Sequence, residues 1–187
     1  DYDHMGNSIN LVNNFKIENV ISNCGYYNNL ENKLIKILNR KSIKYYSCTK
    51  TLNIDKHIFK FLNTKVYDNE NDNSSVMYFE YNKYQFLFMG DAGIERERDI
   101  IDKYNLSDID VLKVGHHGSK TSSSKEFIDE INPKYSIISV GKNNRYGHPN
   151  KEVLNNLEQS KIYRTDQDGS IMFKIKNNKL KIETCSP

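Results

Sequence analysis

The stretch VLKVGHHGSKTSSS, residues 111–124, decides how the chain folds. It closes a short apolar run from Ile109 to Val114, which reads as a buried strand. The run stops at Gly115, and His116 and His117 follow between two glycines. Adjacent histidines framed this way need a sharply bent backbone. Ser119, Thr121, Ser122, Ser123 and Ser124 come next, and Ser124 caps a helix that runs through about Ile131 until Pro133 ends it. The free N–H groups at that helix start favour anions. A pair of metal-ligand side chains therefore stands beside a candidate phosphate cradle; the plainer reading is a polar loop with a capping serine.

Upstream, FLFMGDAG (residues 86–93) places Asp91 directly after an apolar strand. A carboxylate there faces a site at the end of a sheet, or else caps the helix expected over residues 94–104. Before it, VMYFEYNKYQFLFMG alternates over residues 76–81 and 84–89 around Asn82-Lys83, the pattern of a hairpin. Val76, Tyr78 and Glu80 share one face, and Met77, Phe79 and Tyr81 the other. Asn28 or Asn29 caps a helix through about Arg40, with Leu30, Leu34 and Leu38 along one side. Residues 19–24 read as a buried strand, residues 42–61 as short strands, and NENDNSS (residues 69–75) as a polar loop.

Downstream, GKNNRYGHPN (residues 141–150) puts Arg145 and His148 in a Gly-containing loop after a strand over residues 135–140. Loops in that position often carry function. A helix capped by Asn150 through about Gln159 follows. Three further strands turn at Asp168-Gly169 and Asn177-Asn178. Hairpins alternating with strand–helix units argue for an α/β fold in layers.

The chain opens DYDHMGN (residues 1–7). If the segment is extended, Asp1 and Asp3 share a side, and Gly6 permits a turn that brings in His4. Carboxylates with imidazole suit zinc, manganese or iron. His57 lies in an alternating strand with no visible partner and reads as structural.

At 187 residues the chain suits one domain or one large piece of a domain. A net charge of +3 does not by itself indicate nucleic-acid binding and gives it little independent support. No apolar run approaches the ~20 residues that span a bilayer. Cys24, Cys48 and Cys185 are odd in number and lack CxxC spacing, so free thiols are expected.

Together these motifs resemble the metallo-β-lactamase superfamily. DYDH looks like the last four residues of an HxDxDH variant of that family's HxHxDH motif, Asp91 like its bridging aspartate, and one of His116 and His117 like its later histidine. LKVGHHGSKTSSS, IISVGKNNRYGHP and YRTDQDGSI, in this order, are similar to the C-terminal metallo-β-lactamase-like domain of ComEC-type DNA-internalisation competence proteins. The resemblance implies an αββα sandwich over residues 1–187 as a single domain truncated of its N-terminal strands, with the first histidine of HxDxDH preceding Asp1. It implies Asp3, His4, Asp91 and one of His116/His117, with His117 preferred, as ligands of one or two divalent ions, zinc or manganese. Asp1 would ligate a first metal or act as general base; His116 would support a metal ligand or contact the substrate; Arg145, His148 and the Ser119–Ser124 loop would hold the phosphate or protonate the leaving oxygen.

The activity implied is a metal-dependent phosphodiesterase or nuclease acting on DNA during uptake. The alternatives are another phosphodiester hydrolase of the superfamily, or a degenerate DNA-binding scaffold of a membrane channel. A parent chain with a transmembrane channel in a bacterial membrane is implied, this part being soluble and extracytoplasmic.

Overall fold

The computed structural model describes residues 2–25 and 27–186. The chain forms two compact units that divide between Thr49 and Lys50.

The first unit begins with helices α1 (Tyr2–Met5) and α2 (Ser8–Asn14). Strand β1 (Asn19–Ser22) then pairs in parallel with β2 (Lys44–Ser47) through the crossover helix α3 (Asn29–Arg40). Asn28 caps α3 as expected: its side chain accepts from the Leu30 and Glu31 N–H groups, and Glu31 returns the bond to Asn28 N at 2.7 Å. Leu34 and Leu38 on the apolar side of α3 bury against Val12 of α2, with Ile9 and Val20 beside them. Each such side chain contributes about 1.5–3 kcal/mol on leaving water.

Two expectations change here. Tyr2–Met5 is helical rather than extended. Cys24 and Cys48 are joined as a disulfide with Cα atoms 4.6 Å apart, so only Cys185 is free. The parallel pairing of β1 and β2 carries both cysteines to the same end of the strands, a proximity that a separation of 24 residues conceals.

The second unit is a seven-stranded mixed sheet in strict chain order. Strands β3 (Thr51–Ile54), β4 (His57–Phe61), β5 (Met77–Tyr81) and β6 (Tyr84–Phe88) form an antiparallel meander. Strands β7 (Val111–Lys113), β8 (Tyr135–Ile138) and β9 (Lys161–Arg164) continue it in parallel from β6. The crossovers carry α4 (Ile94–Lys103), α5 (Lys125–Ile131) and α6 (Lys151–Asn156). A helical turn, α7 (Thr165–Asp168), precedes the hairpin of β10 (Ser170–Lys176) and β11 (Lys179–Cys185).

Alternation along the strands buries both faces of the sheet. Tyr78, Leu87, Leu112 and Ile138 pack with Ile100 of α4, Phe127 and Ile131 of α5, and Val153 of α6. Their sequence neighbours Phe79, Phe86, Val111 and Ile137 pack against Ile171, Phe173 and Ile175 of the β10–β11 hairpin. No described helix is long and apolar enough to cross a membrane.

Candidate metal centre

Strands β6, β7 and β8 are parallel neighbours, so the loops after them emerge side by side. Those loops carry Asp91, the pair His116-His117, and Arg145 with His148. A parallel register thus gathers residues that are 57 positions apart in the chain, from Asp91 to His148.

The first loop is anchored from below by a segment that sequence shows only as polar. Ser74 Oγ accepts from Asp91 N at 3.0 Å, and the Asp72 carboxylate accepts from Gly93 N at 2.7 Å. Gly93, not Asp91, occupies the cap position of α4, so the capping explanation of Asp91 does not hold. Asp91 itself is buried.

The second loop is a 3₁₀ turn, Gly115–Gly118, in which His116 (φ 45°) and His117 (φ 57°) both adopt the left-handed conformation. Two such non-glycine residues in succession store strain, which loops of this kind carry where function requires it. The turn is held by His116 N donating to Gly90 O at 2.9 Å and by Asn150 N donating to Gly118 O at 2.8 Å. His117 Nδ1 lies 2.7 Å from Ser139 O. A carbonyl oxygen only accepts, so Nδ1 carries the proton and the ring lone pair sits on Nε2. Ligand atoms of His117 and Asp91 lie within 4.8 Å of each other.

His116 is aimed differently. Its Nδ1 is 3.3 Å from Thr121 Oγ1, and its ring lies 6.1 Å from that of His148. Burial, then the adjacent His116 and His117, hold the His148 pKa below the ordinary histidine value. Asn144 staples this third loop: its side chain donates to Gly141 O and His148 O and accepts from His148 N. Thr165 Oγ1 fastens the loop base through both the N–H and the carbonyl of Val140.

In the first unit, Asp3 and His4 are both exposed, with His4 Nε2 3.6 Å from Asp3 Oδ2. Asp1 lies outside the described residues. Each of the pairs Asp3/His4 and Asp91/His117 combines a carboxylate oxygen with an imidazole nitrogen, a donor set that fits zinc or manganese.

The metallo-β-lactamase superfamily profile matches residues 1–142. The chain belongs to that superfamily. ComE operon protein 3 of Bacillus subtilis is 33% identical over 184 residues, which are 95% of this chain and 24% of that protein. Competence protein ComA of Neisseria gonorrhoeae is 36% identical over 62% of this chain and 17% of its own length. These relatives are ComEC-type competence proteins, as the three loop motifs implied. The chain thus spans a quarter or less of the curated relatives it matches. A solved superfamily structure from Thermotoga maritima covers 78% of this chain and 70% of its own, at 18% identity and a TM-score of 0.40.

Within this metallo-β-lactamase-superfamily fold, one sequence expectation fails for a specific reason. The serine-rich loop is no phosphate cradle, because a carboxylate of the chain already fills it. The fully buried Glu97 of α4 accepts from Ser123 N, and from Ser124 N at 2.9 Å. Ser122 Oγ turns inward to Gly115 O and Ser119 O. Burial pushes the Glu97 carboxyl pKa up, while the Ser124 and Ser123 backbone N–H groups pull it down.

Glu97→Gln keeps an acceptor oxygen for one of these N–H groups but sets an amide donor against the other, leaving that N–H without a partner. It is expected to cost about 1–3 kcal/mol, read from the urea midpoint. An unchanged midpoint would show that the loop does not depend on this carboxylate.

Sequence reading also missed Lys113. Burial lowers its pKa, Asp91 raises it, and the ammonium donates to Val114 O at 3.1 Å. A lysine inside the apolar run VLKV was the available signal.

Proposed function

We propose that this chain is the metal-dependent phosphodiesterase part of a ComEC-type competence protein, and that it hydrolyses DNA during uptake. The observation that carries the reading is the side-by-side emergence of Asp91, His117, Arg145 and His148 from adjacent parallel strands, with the His117 tautomer fixed by Ser139.

In this reading residues 1–187 act as one metallo-β-lactamase-like domain. Asp91 and His117, joined by Asp3 and His4, hold one or two divalent ions, and Asp1 serves a first metal or takes a proton. Such a cation supplies Lewis-acid polarisation of the phosphoryl group and acidifies water. The chain's own groups do the rest. Arg145 offers a guanidinium to the phosphate. His116, held by Thr121, contacts the substrate. His148, with its pKa lowered by burial, exchanges a proton with the leaving oxygen.

The Cys24–Cys48 disulfide suits an oxidising compartment, which supports an extracytoplasmic position beside a channel supplied by the parent protein. DNA is the partner by likeness to the competence relatives.

The test is cleavage of labelled DNA by the chain with Mn2+ or Zn2+, with chelator, and in the Asp91→Asn variant. Metal-dependent cleavage reduced about 100-fold or more in the variant is expected, since losing even an outer partner of a ligand costs ~10–100-fold. Cleavage that ignores both the chelator and the substitution sinks the reading.

A further inference from the structure

Tyr146 has no place in the metal chemistry, yet it is the most conspicuous side chain of the third loop. It is 66% exposed. An exposed aromatic on its own means little, but this one is held. The Arg145 guanidinium lies 4.9 Å from the ring centroid, and Arg145 Nη2 donates to the Tyr146 hydroxyl at 2.6 Å. The Tyr146 and His148 rings are nearly parallel, 17° apart with centroids separated by 5.8 Å. His148 in turn stands 6.1 Å from His116. The loop beneath is stapled by Asn144. A line of rings thus leads from the bent His116-His117 turn out to a solvent-facing aromatic whose motion is already restricted.

We propose that Tyr146 is a stacking platform for a nucleobase flanking the scissile phosphate, and that it selects single-stranded polynucleotide over duplex DNA and over small phosphodiesters. The proposal deepens the phosphodiesterase reading and rests on it for the position of the phosphate. The physical basis is independent of the metal. Every base has a π-face, and stacking on an aromatic side chain needs no sequence match. A restricted ring loses little rotamer freedom on binding. Arg145 adds positive charge beside the ring, where a backbone phosphate lies next to a stacked base. Bases inside a duplex are already stacked and must be unstacked before they reach the platform. A small ester has no flanking base to place there.

The experiment is fluorescence anisotropy with 5′-labelled oligothymidylate, with a duplex of equal length, and with an abasic oligonucleotide. Wild-type chain, Tyr146→Ala and Tyr146→Phe are compared. Tyr146→Ala is expected to weaken single-strand binding about tenfold, Tyr146→Phe less than about threefold, and neither to change duplex binding, in line with the worth of one stacked base. Wild-type protein should bind the abasic strand about as weakly as Tyr146→Ala binds the normal one; this arm needs no variant to fold.

No single-strand binding by wild type, equal losses for Ala and Phe, equal losses on duplex, or indifference to the missing bases each overturns the proposal. Base-dependent binding without metal-dependent cleavage removes the phosphodiesterase reading and leaves the platform. Cleavage without dependence on Tyr146 does the reverse.

Discussion

In the His117→Ala protein, bound zinc or manganese is expected to fall to a minor fraction of the wild-type content, and hydrolysis about 100-fold or more. The expectation follows from the geometry of the ring. Nδ1 is committed to Ser139 O at 2.7 Å, so under the proposed function Nε2 is the nitrogen left to bind a metal; a ring nitrogen of His117 and a carboxylate oxygen of Asp91 lie within 4.8 Å of each other. Removing an outer hydrogen-bond partner of a metal ligand costs ~10–100-fold, so removing the ligand itself sets the loss at or beyond that upper end. His116→Ala is the informative contrast: metal content holds, because His116 engages Thr121 instead. Elemental analysis of the two purified variants decides between the histidines. Full metal in His117→Ala with depletion in His116→Ala would reverse the assignment.

Gly118→Ala is expected to destabilise the fold by about 3 kcal/mol, a drop in Tm of roughly 6–12 °C for a chain of this size. Two costs combine. Gly118 has φ +79°, where a side chain is strained, and an added Cβ would stand 2.7 Å from the Pro149 Cβ. Gly118 also holds the third loop through its carbonyl bond from Asn150 N. The damage therefore reaches His148 as well as His117. Thermal unfolding of this variant, with Gly141→Ala as comparison, makes the check; a Cβ at Gly141 meets no atom within 4 Å. Equal Tm values in the two variants would contradict the packing argument.

Much of the second unit was readable from local signals. The 77–88 hairpin declares itself by strict alternation around Asn82-Lys83, and α5 by Ser124 before it and Asn132-Pro133 after it. Asp91, His117 and His148 were readable as candidates because each follows an apolar strand. What was hidden depends on contacts distant in sequence. Glu97 reaches 26 residues to take the N–H groups that would otherwise bind an anion, and nothing in TSSS reveals it. The Cys24–Cys48 disulfide follows from a parallel pairing that only the folded β1–α3–β2 unit defines. The helical start at Tyr2–Met5 was obscured because aspartate and histidine are weak helix formers. Tyr146 escaped notice because a tyrosine in a polar loop looks like any other until its neighbours are seen.

The strict order of the seven-stranded sheet has a consequence for how the protein is made. Each strand from β4 to β9 hydrogen-bonds to the one before it in the chain. The sheet can therefore be laid down from one edge as the polypeptide emerges, each new strand meeting a finished template and never having to insert between two older ones. Closing distances stay short, which favours fast assembly. The segment bearing Arg145 and His148 joins late, next to a β6–β7 platform on which Asp91 and His117 are already in position. A chain delivered from its N-terminus would thus gather these loops in the order β6, β7, β8, before β9 and the β10–β11 hairpin are made.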